Sequence, residues 1–256
     1  MKVGMKVGLG SGVILLLLIV VATVSYFGLS GANENFREYR GLAIETNQMG
    51  RIQANLLTAR LGAKDFIKKN TMGAADLVRE RIALTQQLID EAEKTFTRDD
   101  ALKVMAEAKK EIAEYEKAFE EVMVLVEKRN GLVNDLNTIG PDIEKNLTAI
   151  MESANRDNDT SASYLAGVSL RSLMLGRLYS NRFLVDNLPE SSERAKQELA
   201  SYEEDAKALL VSLQNPTRRK HATEASKGAE AYKQTFDEVV STINERNNII
   251  TGTMDV

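Results

Sequence analysis

Hydrophobic and polar positions divide the chain into one unbroken apolar stretch and a long remainder with helical periodicity. No charge occurs between Lys6 and Glu34, and Val13 to Val24 reads VILLLLIVVATV. About 20 apolar residues span a bilayer core, so residues 1–32 are predicted to hold a short N-terminus and a transmembrane helix. Lys2 and Lys6 precede the stretch and Glu34 follows it. That asymmetry keeps the N-terminus cytoplasmic and exports the rest. Ser30-Gly31-Ala32 resembles a cleavage site, which makes a cleaved signal peptide the competing reading. The uncharged stretch is longer than an ordinary signal core, and either reading exports the domain.

From Asn33 onward the pattern is helical, with breaks of turn and N-cap chemistry at Asn70 to Gly73, Thr97 to Asp99, Asn155 to Thr160, Asn187 to Ser192 and Asn215 to Thr217. Six helices follow. Four are short, near 33–70 (continuing the membrane helix), 74–96, 160–187 and 191–213. Two are long, near 99–155 and 217–256. Gly140-Pro141 predicts a kink or local break in the first long helix, because proline removes a donor and clashes with the preceding turn. Met49, Ile52, Leu56, Ala59, Ala63 and Phe66 recur at spacings of three and four, a heptad seam for bundle packing. In the second helix Leu77, Leu84, Leu88 and Ala92 mark the apolar side.

A unit recurs at a fixed offset of 117 residues. Leu56, Arg60, Leu61, Phe66 and Asn70 match Leu173, Arg177, Leu178, Phe183 and Asn187. Tyr115, Phe119, Glu121, Val122, Arg129 and Asn130 match Tyr232, Phe236, Glu238, Val239, Arg246 and Asn247. Each copy reads short helix, short helix, long helix. A long helix is about 85 Å at 1.5 Å per residue, roughly twice a short one. The predicted fold is therefore all-α, with an N-terminal transmembrane helix and two stacked four-helix bundles. The sensor domain would be 33–256, its proximal module about 33–125 with 240–256 and its distal module about 126–239.

Composition narrows the function. There is no cysteine, and His221 is the one histidine. A disulfide framework, a Cys-type zinc site and a thiol nucleophile are excluded. No catalytic motif occurs, so no catalytic residue, metal or cofactor is assigned and an enzyme is not expected. The net charge of −4 gives no general affinity for nucleic acid.

The repeated arginines are the first candidates for chemistry. Arg60 lies one position past Ala59 on the core stripe, beside Gln53, Leu57 and Lys64. Arg177 holds the same place beside Met174, Ser180 and Asn181. A guanidinium at the edge of a bundle core grips a carboxylate with two parallel hydrogen bonds. It can equally pair with a glutamate of a neighbouring helix as a structural feature. Asn130 and Asn247 fall on the apolar seams of the long helices. They read as register devices or as polar groups offered to a ligand or to the other copy's arginine. The run Arg218 to His221 reads as a solvated turn or a partner-binding patch, and Glu203 to Asp205 as a solvated face.

Four segments together resemble the helical bimodular sensor domain of bacterial methyl-accepting chemotaxis receptors: LLTARLGAKDF at 56–66, RNGLVNDLNTIGPDI at 129–143, LMLGRLYSNRF at 173–183 and RNNIITGTMD at 246–255. The likeness is greatest to pseudomonad receptors for tricarboxylic-acid-cycle intermediates. It implies an inner-membrane homodimer whose periplasmic domain binds small carboxylates, organic acids in the proximal bundle through Arg60 and acetate in the distal one through Arg177. It also implies a second membrane helix and a cytoplasmic signalling region after Val256, so that the sequence would be a fragment or a truncated product unable to signal alone. Sensor kinases share the domain, and one of them reads a periplasmic binding protein instead of a small molecule. A structural tether is the third reading, for which salt bridges should close both arginine pockets.

Overall fold

The computed structural model describes residues 3–254, with side chains from residue 15 onward. Six helices follow in order: α1 (Val3–Lys69), α2 (Met72–Thr95), α3 (Asp99–Arg156), α4 (Thr160–Asp186), α5 (Pro189–Ser212) and α6 (Pro216–Ile249). One π-helical turn, Ile250–Met254, continues from α6. There is no strand among the described residues. The all-α expectation holds, and α1 carries the apolar stretch straight into the first bundle helix. By length and composition α1 is able to cross a membrane, and its residues from Leu15 to Leu29 are exposed.

Local chemistry explains where the helices stop and start. Asn70 and Asn187 adopt the left-handed conformation (φ 51° and 54°), which asparagine tolerates better than most residues. Each donates its backbone N–H to the phenylalanine four residues earlier, at 2.7 and 2.8 Å. The Asp159 carboxylate accepts from the Ala162 N–H at the start of α4. Asn215 caps α6 by accepting from Thr217 and Arg218. Pro189 and Pro216 occupy first-turn positions whose N–H would have had no helical partner. Pro189 starts α5 two residues before the sequence reading placed it.

The helix boundaries reproduce the internal repeat. Lys69 and Asp186, Met72 and Pro189, Thr95 and Ser212, and Asp99 and Pro216 are each 117 residues apart. Burial repeats in the same register. Ala59, Ala63, Phe66, Ile82, Ile112, Tyr115, Phe119 and Val122 are buried, and so are Gly176, Ser180, Phe183, Leu199, Ala229, Tyr232, Phe236 and Val239.

The chain forms two compact units, Met1–Ala113 and Glu114–Val256. In the first, α1 and α2 pack antiparallel across the two-residue turn. Arg81 donates to the Asn55 side chain, Thr95 to Gln48, and Val78 sits against Gly62. The α1 seam is as expected, with Ile52, Ala59, Ala63 and Phe66 buried. On α2 Leu88 and Ala92 are buried as expected, in a stripe with Ala75, Val78, Ile82, Thr85 and Ile89, whereas Leu77 is half-buried and Leu84 is exposed. The difference is a rotation of about one residue, which three widely spaced leucines and an alanine do not define.

The second unit is a four-helix bundle made by α3 from residue 114, α4, α5 and α6. Its core takes Ile143, Leu147 and Ile150 from α3, Ala166, Leu173 and Phe183 from α4, Leu199, Tyr202 and Leu209 from α5, and Ala229, Phe236 and Ile243 from α6. Phe183 and Phe236 meet edge to face, with ring centroids 6.0 Å apart. No break occurs at Gly140-Pro141, and α3 runs through both. Asn137, whose carbonyl loses its N–H partner to Pro141, is exposed, so water can satisfy it.

Two surface expectations are corrected. Arg218 is not part of a solvated turn but is 4% exposed. It donates to Ser153 Oγ at 2.8 Å and Asp159 at 2.8 Å, and also contacts Asp157. Its position in the repeat is that of buried Ala101, which explains why it faces inward. Within the acidic cluster, Glu203 pairs with Lys233 at 2.7 Å and Asp205 accepts from Ser172 at 2.7 Å. Glu204 alone is fully on the surface.

Candidate functional site

Arg177 is the best-developed candidate. It projects from α4 half-buried, and its partners come from three helices. Gly140 of α3 lies directly beneath it, and a Cβ there would stand 2.6 Å from Arg177 Nε. The missing side chain is thus the space the guanidinium uses. From α4 itself, Met174 Sδ lies 3.8 Å from Nη1, a weak contact. From α6, Tyr232 is buried, with its hydroxyl near enough to Ser180 and Arg177 to feel both. Burial pushes the Tyr232 hydroxyl above its ordinary range, while Ser180 and Arg177 pull the other way. The Ser180 hydroxyl also donates to the Gly176 carbonyl at 2.9 Å. Gly176 packs against Leu199 of α5, where a Cβ would meet Leu199 Cδ2 at 2.8 Å. The small residues at 176 and 180 therefore do two different things. Gly176 lets α5 approach, and Ser180 brings a hydroxyl close to the tyrosine.

No carboxylate pairs with Arg177 among the described residues. A guanidinium has five N–H donors and no acceptor. With only a thioether as internal partner, nearly all of that capacity remains for a ligand or water. A carboxylate lying against Arg177 and the Tyr232 hydroxyl would receive charge-assisted hydrogen bonds.

The equivalent position in the first unit is less developed. Arg60 is half-buried and makes no hydrogen bond or ion pair among the described residues. Gln53 and Leu57 before it and Lys64 after it along α1 are all exposed. Asn181 is likewise exposed, one turn beyond Arg177. Among the described residues salt bridges close neither arginine, whereas a purely structural tether would have them closed.

Asn130 and Asn247 are half-buried and do not sit in the core. Each accepts from the arginine immediately before it, not from the other copy's arginine. Arg129 Nη1 is 3.0 Å from Asn130 Oδ1, and Arg246 Nη2 is 2.7 Å from Asn247 Oδ1. An amide placed to hold a neighbouring guanidinium is different from a buried register device.

Sequence reasoning missed Gly140 and Tyr232 as members of the site. Tyr232 carried a usable signal, since Tyr115 and Tyr232 recur in register with the arginines. Gly140 carried a misleading one, because Gly-Pro reads first as a helix breaker.

No characterised protein matches the chain. A family model described as a four-helix-bundle sensory module for signal transduction matches residues 1–163. The match takes in the apolar N-terminal stretch, α1, α2, all of α3 and the first turn of α4. It covers more than half of the chain, so an all-helical protein with a membrane-compatible first helix and open arginine positions at its bundle edges belongs to the four-helix-bundle sensory modules for signal transduction.

Proposed function

We propose that this chain is the ligand-binding region of a transmembrane chemoreceptor of the helical bimodular type, and that it recognises small organic acids. In this reading α1 anchors a homodimer in the bacterial inner membrane, the sensor region lies in the periplasm, and a cytoplasmic signalling region completes the receptor. The chain performs no catalysis. Arg177 serves the distal module and Arg60 the proximal one.

The observation that carries this reading is the state of Arg177. It is half-buried, without an acidic partner among the described residues, and accompanied by the Tyr232 hydroxyl, which lies near enough to feel its charge. Leaving a cation partly desolvated is costly unless something compensates it. A small carboxylate does so with the right geometry, and the same argument disfavours a bulky or cationic ligand. A carboxylate held between α4 and α6 stabilises one relative packing of those helices over others. Differential affinity of that kind is what a ligand needs to shift a conformational equilibrium. A small slide of one helix against its neighbours is a common way for such a shift to travel.

Titration calorimetry on the full chain in nanodiscs, with acetate, malate and succinate, tests the reading. Binding of at least one acid is expected, with Arg177→Ala removing it from one class of sites and Arg60→Ala from the other. The absence of heat with every acid would refute the reading. Capture of a periplasmic binding protein instead would point to the kinase-type input domain.

A further inference from the structure

A second cluster of guanidinium groups lies elsewhere in the Glu114–Val256 unit, and the Arg177 site does not use it. Arg129 of α3 and Arg246 of α6 are counterparts in the repeat, and both are half-buried. Both reach the same end of α4. Arg129 Nη2 lies 3.5 Å from the Leu184 carbonyl, and Arg246 Nη2 donates to Asn187 Oδ1 at 2.7 Å. Asn187 is held there by its left-handed backbone and by its own amide, which donates to the Phe183 carbonyl at 2.9 Å. The remaining bonds go to Asn130 Oδ1 and Asn247 Oδ1.

Every one of these acceptors is neutral. Glu127 and Glu245, close to the two arginines in sequence, are exposed and form no ion pair with them among the described residues, and Asp186, beside Asn187, is committed elsewhere, accepting from the Leu188 N–H, the Ser191 hydroxyl and Arg182. Burial lowers the affinity of both guanidiniums for their protons, and the Arg129 charge adds to the effect on Arg246. Two full positive charges thus lie within electrostatic reach of each other in a half-desolvated place.

The structural explanation is that the pair caps the C-terminal end of α4, which has no basic residue in its own last turn. A helix end offers about half an elementary charge, and that leaves most of the two positive charges unbalanced. Nor are the donors used up. Arg129 makes two hydrogen bonds and Arg246 three, although each carries five N–H groups. We propose that Arg129 and Arg246 together form a second anion site, which takes a small oxyanion with at least two acceptor oxygens, either a carboxylate or an inorganic oxyanion such as sulfate. The anion bridges α3 and α6 and neutralises the repulsion between them. Asn130, Asn187 and Asn247 are positioning residues that hold the two forks toward it.

The test is thermal unfolding of the full chain in nanodiscs, with sodium sulfate, sodium succinate or sodium chloride at matched ionic strength. The wild type is expected to gain a few degrees from sulfate or succinate over chloride at 10 mM. Arg177→Ala should keep the sulfate gain, which separates this site from the acid site proposed above. R246Q and R129Q should each lose it, with apparent affinity at least tenfold weaker. R129K keeps the charge but loses the fork, and should fall in between. In chloride alone, R246Q should melt no lower than the wild type, because it relieves a repulsion. Overturning results are an equal sulfate gain in R246Q, no gain over chloride in the wild type, or a marked loss of stability in R246Q without any anion effect, which would make the pair a helix cap and nothing more. A sulfate gain that R246Q loses, with no gain from succinate, assigns the site to inorganic oxyanions, and a succinate gain supports the site only where R246Q and R129Q lose it and Arg177→Ala and Arg60→Ala keep it; a succinate gain that R246Q keeps, with no sulfate gain, overturns it.

Discussion

Replacing Gly140 by alanine adds one methyl group to the floor of the Arg177 niche. The new Cβ would lie 2.6 Å from Arg177 Nε and 3.1 Å from both Cδ and Cζ. Ordinary contact begins near 3.4 Å, so the side chain must retreat by about 0.8 Å at its tightest point. Two opposing effects then act on stability. Alanine gains about 1 kcal/mol over glycine inside a helix. Displacing a flexible, half-exposed side chain costs a similar or smaller amount, at the low end of the range for overpacking. The net change should stay within about 1 kcal/mol, or about 4 °C in Tm for a chain of this size. Binding should respond far more strongly. Loss of one hydrogen bond between charged groups costs about 1.5–3 kcal/mol, which corresponds to roughly 10- to 150-fold weaker binding. Calorimetry with the best-bound acid, paired with a circular-dichroism melt, measures both quantities. Gly167→Ala is the control, because the added Cβ would meet nothing closer than Met151 Sδ at 3.9 Å. Unchanged affinity in Gly140→Ala with an unchanged melt would refute the placement of the acid on Arg177.

Three further outcomes follow from the same structure. Tyr202 is buried and its hydroxyl has no hydrogen-bond partner among the described residues, so Tyr202→Phe should raise stability by about 1 kcal/mol in urea denaturation; a loss would reveal a partner. Arg218→Ala removes a buried guanidinium from Ser153, Asp157 and Asp159 and should cost about 2 kcal/mol, below the usual figure for a buried pair because both acids remain in contact with water; a melt within 1 °C of wild type would contradict it. The Leu188 N–H, the Ser191 hydroxyl and Arg182 hold the Asp186 carboxyl below its ordinary value. A depressed carboxylate contributes stability above its unfolded pKa and loses it as pH falls through the folded one, so stability should decline below about pH 4 and do so less steeply in Asp186→Asn; parallel declines at pH 5 and pH 3 would sever the link.

The helical frame was legible because its signals are local. Asn70 and Asn187 mark turns through their own backbone preference, and the 117-residue offset carries each boundary from the first copy to the second. The rotation of α2 was harder, since Leu84 is as apolar as its neighbours yet points outward. Arg177 could be read from the sequence because duplication singled it out. Its surroundings could not, because Gly140 lies 37 residues before it and Tyr232 55 residues after it, and only tertiary packing brings them together. The Gly140-Pro141 pair shows the cost of a local rule. The proline sits where an exposed carbonyl can turn to water, and the glycine is there for the arginine. Arg218 fails in the opposite sense. A run of charges normally faces solvent, but its repeat position is a core position, and Asp157 and Asp159 satisfy it from about 60 residues away.

A crystal structure of the chain grown with the best-bound organic acid tests the central claim most directly. The account predicts a carboxylate within about 3 Å of the Arg177 guanidinium nitrogens and of the Tyr232 hydroxyl, the usual hydrogen-bond range. An acid bound away from Arg177, or a glutamate or aspartate of the protein closed onto that guanidinium, would contradict it.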